Sequence, residues 1–120
     1  MHLKRFADAE PYEAPNHRGV AGLRLQGFEE GGPENQWIGY SQFLPGGGAG
    51  PDSTPFEKVY VVLSGELSII VDGVETVLGA MDSCTIPPAE EREIINRSNH
   101  VCTMLVVIPY PEGTRPGATS

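Results

Sequence analysis

Short runs of Val, Ile and Leu alternate with polar positions along most of the chain, and Gly and Pro fall between the runs. A period of two with that punctuation predicts many short strands joined by turns. The first good strand is Val20 to Phe28, with Val20, Gly22, Arg24 and Gln26 on one face. The second, Asn35 to Leu44, is expected to stop at Pro45-Gly46. The run Pro45 to Pro51 reads as a loop, because proline lacks a donor and glycine weakens a strand interior. Lys58 to Leu63 and Leu67 to Val71 follow. Asp72-Gly73 then forms a two-residue turn in which both positions need positive φ, and Val74 to Leu78 returns as the hairpin partner. Ser83 to Ile86, Arg92 to Asn96 and Val101 to Ile108 complete eight to nine strands. Only the charged start, Leu3 to Ala9, has any helical period. So many short strands in a single domain leave a sandwich or a closed barrel.

Composition narrows the function classes. The chain has 120 residues, 16 acidic and 8 basic side chains, and a formal charge of -8. An acidic balance without clustered Lys and Arg argues against nucleic acid and against anionic membranes. No run approaches the roughly 18 apolar residues of a membrane span, and the charged N-terminus has no apolar stretch behind it, unlike a secretory leader. Cys84 and Cys102 each sit in an apolar, strand-like run, where a free thiol behaves as a small hydrophobe. A disulfide between them stays open, but a reduced, cytoplasmic setting is the expectation. The tail Tyr110 to Ser120 is expected at the surface.

The segment from Gly46 to Asn96 resembles the two-motif core of the cupins. Gly46 and Gly65 stand at the ends of the first motif, and Glu57-Lys58-Val59-Tyr60-Val61-Val62-Leu63-Ser64-Gly65-Glu66-Leu67 is very similar to the family's strand, turn and return. In the second motif Pro87 and Asn96 match, and Asp82 and Ile86-Pro87-Pro88 are typical. The resemblance implies an all-β fold, a small β-barrel or double-stranded β-helix of jelly-roll type. It places one cupin domain over 1-120, with N-terminal strands at about 20-44, the core at 46-96, a last strand at about 101-108 and a tail at 109-120. It also implies a homodimer paired through outer sheet faces.

Where the family carries metal ligands, this chain departs. The two histidine positions of the first motif fall on Asp52 and Thr54, its acidic position on Lys58, and the histidine of the second motif on Arg92. Met81 and Ala89 replace glycines of the second motif. Arginine offers no lone pair and stays charged. At about 4 Å and an effective dielectric near 20, each repulsive pair with a cation is worth roughly 4 kcal/mol. The expectation is therefore a site with no metal and no cofactor.

A guanidinium and an ammonium in a partly dry barrel instead make a seat for a small organic acid. Lys58, Arg92 and Tyr60 are the candidate catalytic residues. Arg92 grips the anion, Lys58 adds charge or moves a proton, and Tyr60, two residues along the same strand face, orients or protonates the ligand. Asp52, Thr54, Glu57 and Asn96 are the candidate ligand-binding residues. Isomerisation, decarboxylation or elimination beside a carboxylate or ketone fits such groups. Alternatives stand beside this reading. The cavity could hold an acid without turning it over. Asp52, Glu57 and His17 could form an unusual metal site. Lys58, Arg92, Asp52 and Glu57 could plug a structural barrel as a neutralised ion-pair cluster, with Tyr60 packed as an ordinary aromatic. His2, His17 and His100 are scattered, and His17 is the best placed to reach a barrel mouth. The Gly46 to Gly50 run is no phosphate loop, because no helix start follows it.

Overall fold

The structure, a computed structural model, describes residues 1–111. Nine strands follow one 3-10 turn at Phe6–Asp8: β1 (Glu10–Tyr12), β2 (His17–Gln26), β3 (Gln36–Asp52), β4 (Lys58–Ser64), β5 (Leu67–Val71), β6 (Val74–Leu78), β7 (Ser83–Ile86), β8 (Arg92–Ile95) and β9 (Cys102–Pro109). All pairings are antiparallel, in the order β6-β5-β8-β3-β9-β4-β7, with β2 on β3 and β1 on β2. Rolled on itself, this sheet forms the nearly closed barrel expected from the strand pattern. All five predicted strands from Leu67 onward keep their bounds to within one residue.

Two expectations are corrected. Pro45 to Pro51 is not a loop. β3 runs straight through it, pairing with β9 from Gln36 to Phe43 and with β8 from Gly48 to Asp52. Gly47 and Gly48 are there because the backbones press together: a Cβ on Gly48 would collide with the Ile94 carbonyl oxygen across the ladder, and one on Gly47 with the Gly19 carbonyl oxygen. Sequence propensity read these glycines as breakers, whereas close approach is the other use of glycine in a strand. The N-terminal segment carries a single 3-10 turn and the short strand β1 in place of a longer helix. Asp72 and Gly73 have φ of 50° and 75°, as their tight turn requires. Tyr110 belongs to the packed body, 7% exposed, with its hydroxyl donating to the Pro33 carbonyl at 2.5 Å. The rest of the expected surface tail, from 112 onward, lies outside the described residues.

The interior divides into two layers. Phe43, Val62, Leu67, Ile94 and Cys102 are at most 1% exposed and fill the apolar end. Alternation then carries the inward face of the same strands toward polar groups. β4 buries Lys58 and Tyr60 on the face of Val62, and β8 buries Arg92 on the face of Ile94. Strand parity and register thus bring two cations into the barrel.

Candidate functional site

At the polar end lies a cavity of about 310 Å³, within the range of small-molecule sites. Lys58, Arg92, Tyr60, Asp52 and Thr54 all line it. Lys58 and Tyr60 are 3% exposed and Arg92 7%. The Arg92 Nε donates to the Tyr60 hydroxyl at 2.9 Å and its Nη1 donates to the Gly50 carbonyl at 3.2 Å. Lys58 Nζ donates to Thr54 Oγ1 at 3.3 Å. Thr54 is itself held by its own loop, accepting from the Phe56 amide and donating to the Phe56 carbonyl.

Asp52 and Arg92 are cross-strand partners in the β3-β8 ladder. Even so, neither Lys58 nor Arg92 has a carboxylate within ion-pair distance among the described residues. The cluster is therefore not neutralised by contact pairs, and the cavity above it is open. Burial, reinforced by the neighbouring Arg92 charge, lowers the Lys58 pKa below the ordinary lysine value, with Asp52 opposing. Burial raises the Tyr60 pKa, with Arg92 opposing. The phenol accepts from Arg92, which leaves its own hydrogen free to donate.

His17 also lines the cavity. Its Nδ1 lies 2.7 Å from the Pro15 carbonyl, an acceptor, so Nδ1 carries the hydrogen. Burial lowers its pKa, with the Arg92 and Lys58 charges adding to that effect and the Pro15 bond and Asp52 opposing.

Two of the residues expected at the site stand elsewhere. Glu57 is exposed and outside the cavity lining. It lies just before β4 begins and is turned to solvent. Asn96 is fully buried and committed to structure: its Nδ2 donates to the carbonyls of Phe43 and His100, and its Oδ1 accepts from Ser98. Without Glu57 the unusual metal set is reduced to Asp52 and His17. Among the described residues no three His, Cys, Asp or Glu side chains converge as metal ligands. The side chains present at the family's ligand positions do not fit a divalent ion, since two of the four are cations. Cys84 and Cys102 are free thiols, and burial pushes the Cys102 pKa up to about 11. No helix among the described residues is long and apolar enough to cross a membrane.

Several lining residues escaped the sequence reading: Tyr12, Glu13, Arg24, Trp37 and Ser41. Parity had already placed Arg24 with Val20 and Gly22, so its inward direction was available. Tyr12 and Glu13 belong to β1 and the turn after it, a three-residue strand too short to leave a period.

Comparison with known proteins places this geometry. A relative from Mycobacterium tuberculosis named β-D-galactosidase Rv1717 is 47% identical over 111 residues, covering 92% of this chain and 96% of that protein. Among solved structures, the polyketide cyclase RemF from Streptomyces resistomycificus superposes with a TM-score of 0.83 at 20% identity, covering 97% of this chain and 82% of its own. A predicted oxalate decarboxylase from Thermotoga maritima gives 0.76 at 23%, covering 92% and 100%. At such identities these two share the fold and no more. The family model described as the cupin domain matches residues 39–108, from within β3 to the end of the barrel. The chain belongs to the cupin family.

Proposed function

We propose that this chain is a small-molecule enzyme that hydrolyses a β-galactoside-type glycoside in its barrel without a metal. The observation that carries the reading is one cavity lined together by buried Lys58, Arg92 and Tyr60 and by Asp52. The likeness to the relative named β-D-galactosidase runs along nearly the whole length of both chains, which supports that substrate class.

Glycoside hydrolysis needs an acid for the leaving oxygen and a base for water. Lys58 serves as the acid. Its lowered pKa makes the ammonium a better proton donor than a free lysine. Asp52 serves as the base. The glycosidic C–O bond breaks as the leaving oxygen takes the Lys58 proton. A new C–O bond forms to water, whose proton passes to Asp52. Arg92 donates to ring hydroxyl oxygens, and so does Tyr60, through the hydrogen that its bond from Arg92 leaves free. Thr54 holds Lys58 in place.

The test is release of galactose from lactose, whose sugar leaving group needs a proton, by chelator-treated protein. Turnover that disappears in Lys58→Met and Asp52→Asn is the expected result. Absence of turnover, or turnover that needs added metal, overturns the reading.

A second reading is favoured by one feature, the lack of a paired carboxylate at Lys58 and Arg92. A small carboxylate or keto acid would supply the missing charge, and its isomerisation or decarboxylation through an enolate-like state would use the same residues. A thermal-shift series separates the two. Keto acids that stabilise the chain where galactosides do not would favour the acid.

A further inference from the structure

The wall of the cavity contributed by β1, β2 and the start of β3 holds two donors that nothing among the described residues satisfies. Arg24 Nε and Trp37 Nε1 are both buried, and neither has a hydrogen-bond partner among the described residues. Both side chains line the cavity. Leaving a buried donor unmade costs on the order of 1–3 kcal/mol, more when it is charged, so such groups are ordinarily explained by a ligand or solvent.

Arg24 is held by aromatic rings and by no ion pair among the described residues. Its guanidinium carbon lies 4.2 Å from the Phe28 ring centre, 5.4 Å from Tyr12 and 5.8 Å from Trp37. Tyr12 and Trp37 meet edge to face, with centres 5.3 Å apart. Those contacts fix the planar fork while leaving its Nε hydrogen unspent. Arg24 and Trp37 thus stand side by side in the cavity wall.

Charge indicates what that group is. Arg24, Lys58 and Arg92 give the cavity three cations, against the two carboxylates of Glu13 and Asp52. The lining is thus positive in a chain whose formal charge is -8. A neutral ligand would leave that excess uncompensated.

We infer that Arg24 and Trp37 form a carboxylate subsite, so that the substrate is an acidic sugar or a glycoside bearing a carboxylate. The guanidinium supplies a charge-assisted bond and the indole N–H a second, while the faces of Tyr12 and Trp37 border the ligand's apolar side. The inference rests on the glycoside reading for the class of ligand, yet its test measures binding alone.

Calorimetric titration of the intact chain with galactose and with galacturonate compares two sugars that differ at one carbon. Galacturonate is expected to bind at least about tenfold tighter, the scale of one charged hydrogen bond. The ratio of the two affinities should fall to near one in Arg24→Gln and drop in Trp37→Phe, which keeps a ring and removes the donor. In Arg92→Gln the ratio should persist. Equal affinities in the unmodified chain overturn the subsite, as does no binding of galacturonate. A ratio that collapses in Arg92→Gln and survives in Arg24→Gln would put the carboxylate on the barrel floor and overturns it too. A retained ratio without hydrolysis of any galactoside removes the hydrolase reading and leaves the subsite standing. Hydrolysis with a ratio of one does the reverse.

Discussion

Arg92 donates its Nε hydrogen to the Tyr60 hydroxyl at 2.9 Å across the barrel interior, joining β8 to β4. Both side chains are almost wholly buried, so the bond cannot be replaced cheaply by water. Tyr60→Phe should destabilise the chain by about 1.5–3 kcal/mol, the range for a hydrogen bond to a charged group. Urea unfolding followed by fluorescence gives the value. A loss under half a kcal/mol would mean that Arg92 finds another acceptor. Turnover should fall as well, through misplacement of the guanidinium.

Lys58 shows the opposite balance between stability and activity. Its ammonium is buried beside Arg92 with one neutral partner, Thr54. Lys58→Met should therefore gain about 1 kcal/mol of stability while abolishing turnover. The pH dependence has a definite sign. The folded-state pKa lies below the ordinary lysine value, so the unfolded chain binds more protons between the two pKa values. Stability should rise with pH across that window, and Lys58→Met should lose the rise.

The same group sets a limb of the activity profile. If Lys58 donates the proton, kcat/KM declines at alkaline pH, beginning below the ordinary lysine range. Arg92→Gln removes a neighbouring positive charge, which favours the ammonium, so the decline should move to higher pH. A limb that does not move excludes Lys58 as the acid.

Asn96 should behave as a structural residue. Its amide joins the carbonyls of Phe43 and His100, and its oxygen accepts from Ser98. Asn96→Ala is expected to cost about 2–3 kcal/mol, since it strands buried groups, while KM of the folded fraction stays unchanged. A shifted KM at full folding would return Asn96 to the site.

Met81 and Ala89 occupy motif positions where the family has glycine, and both have kept a left-handed backbone, with φ of 68° and 66°. A side chain in that conformation costs roughly 1–2 kcal/mol relative to glycine. Met81→Gly and Ala89→Gly should each raise the melting temperature, and the gains should add. A decrease in either would show that the unfolded chain's freedom outweighs the relief of strain.

Much of this architecture could be read from alternation alone. The hairpin Leu67 to Leu78 is legible because its apolar period and its Asp-Gly turn agree. Lys58, Tyr60 and Arg92 reach the cavity because parity carries side chains to a fixed face. What alternation cannot register is pairing distance. Gly48 looks like a break until Ile94 is seen to occupy the space its Cβ would need. For the same reason Glu57 and Asn96 look like neighbours of the site by number, although facing and hydrogen bonding remove them. Tyr12 and Trp37 meet only through tertiary packing, and no local pattern predicts that contact.

The uninterrupted run of β3 has a kinetic meaning. It is bonded to β2 on one side and to β9 and then β8 on the other. Peeling it away would break both ladders at once, so its central amides should be among the last to exchange with solvent. A ligand therefore has no route in through this wall. Traffic must pass the short segments at the mouth, around Ala14 to Asn16 and Ser53 to Glu57. The loops that frame that opening, and not the breathing of the barrel, then set which ligands can pass.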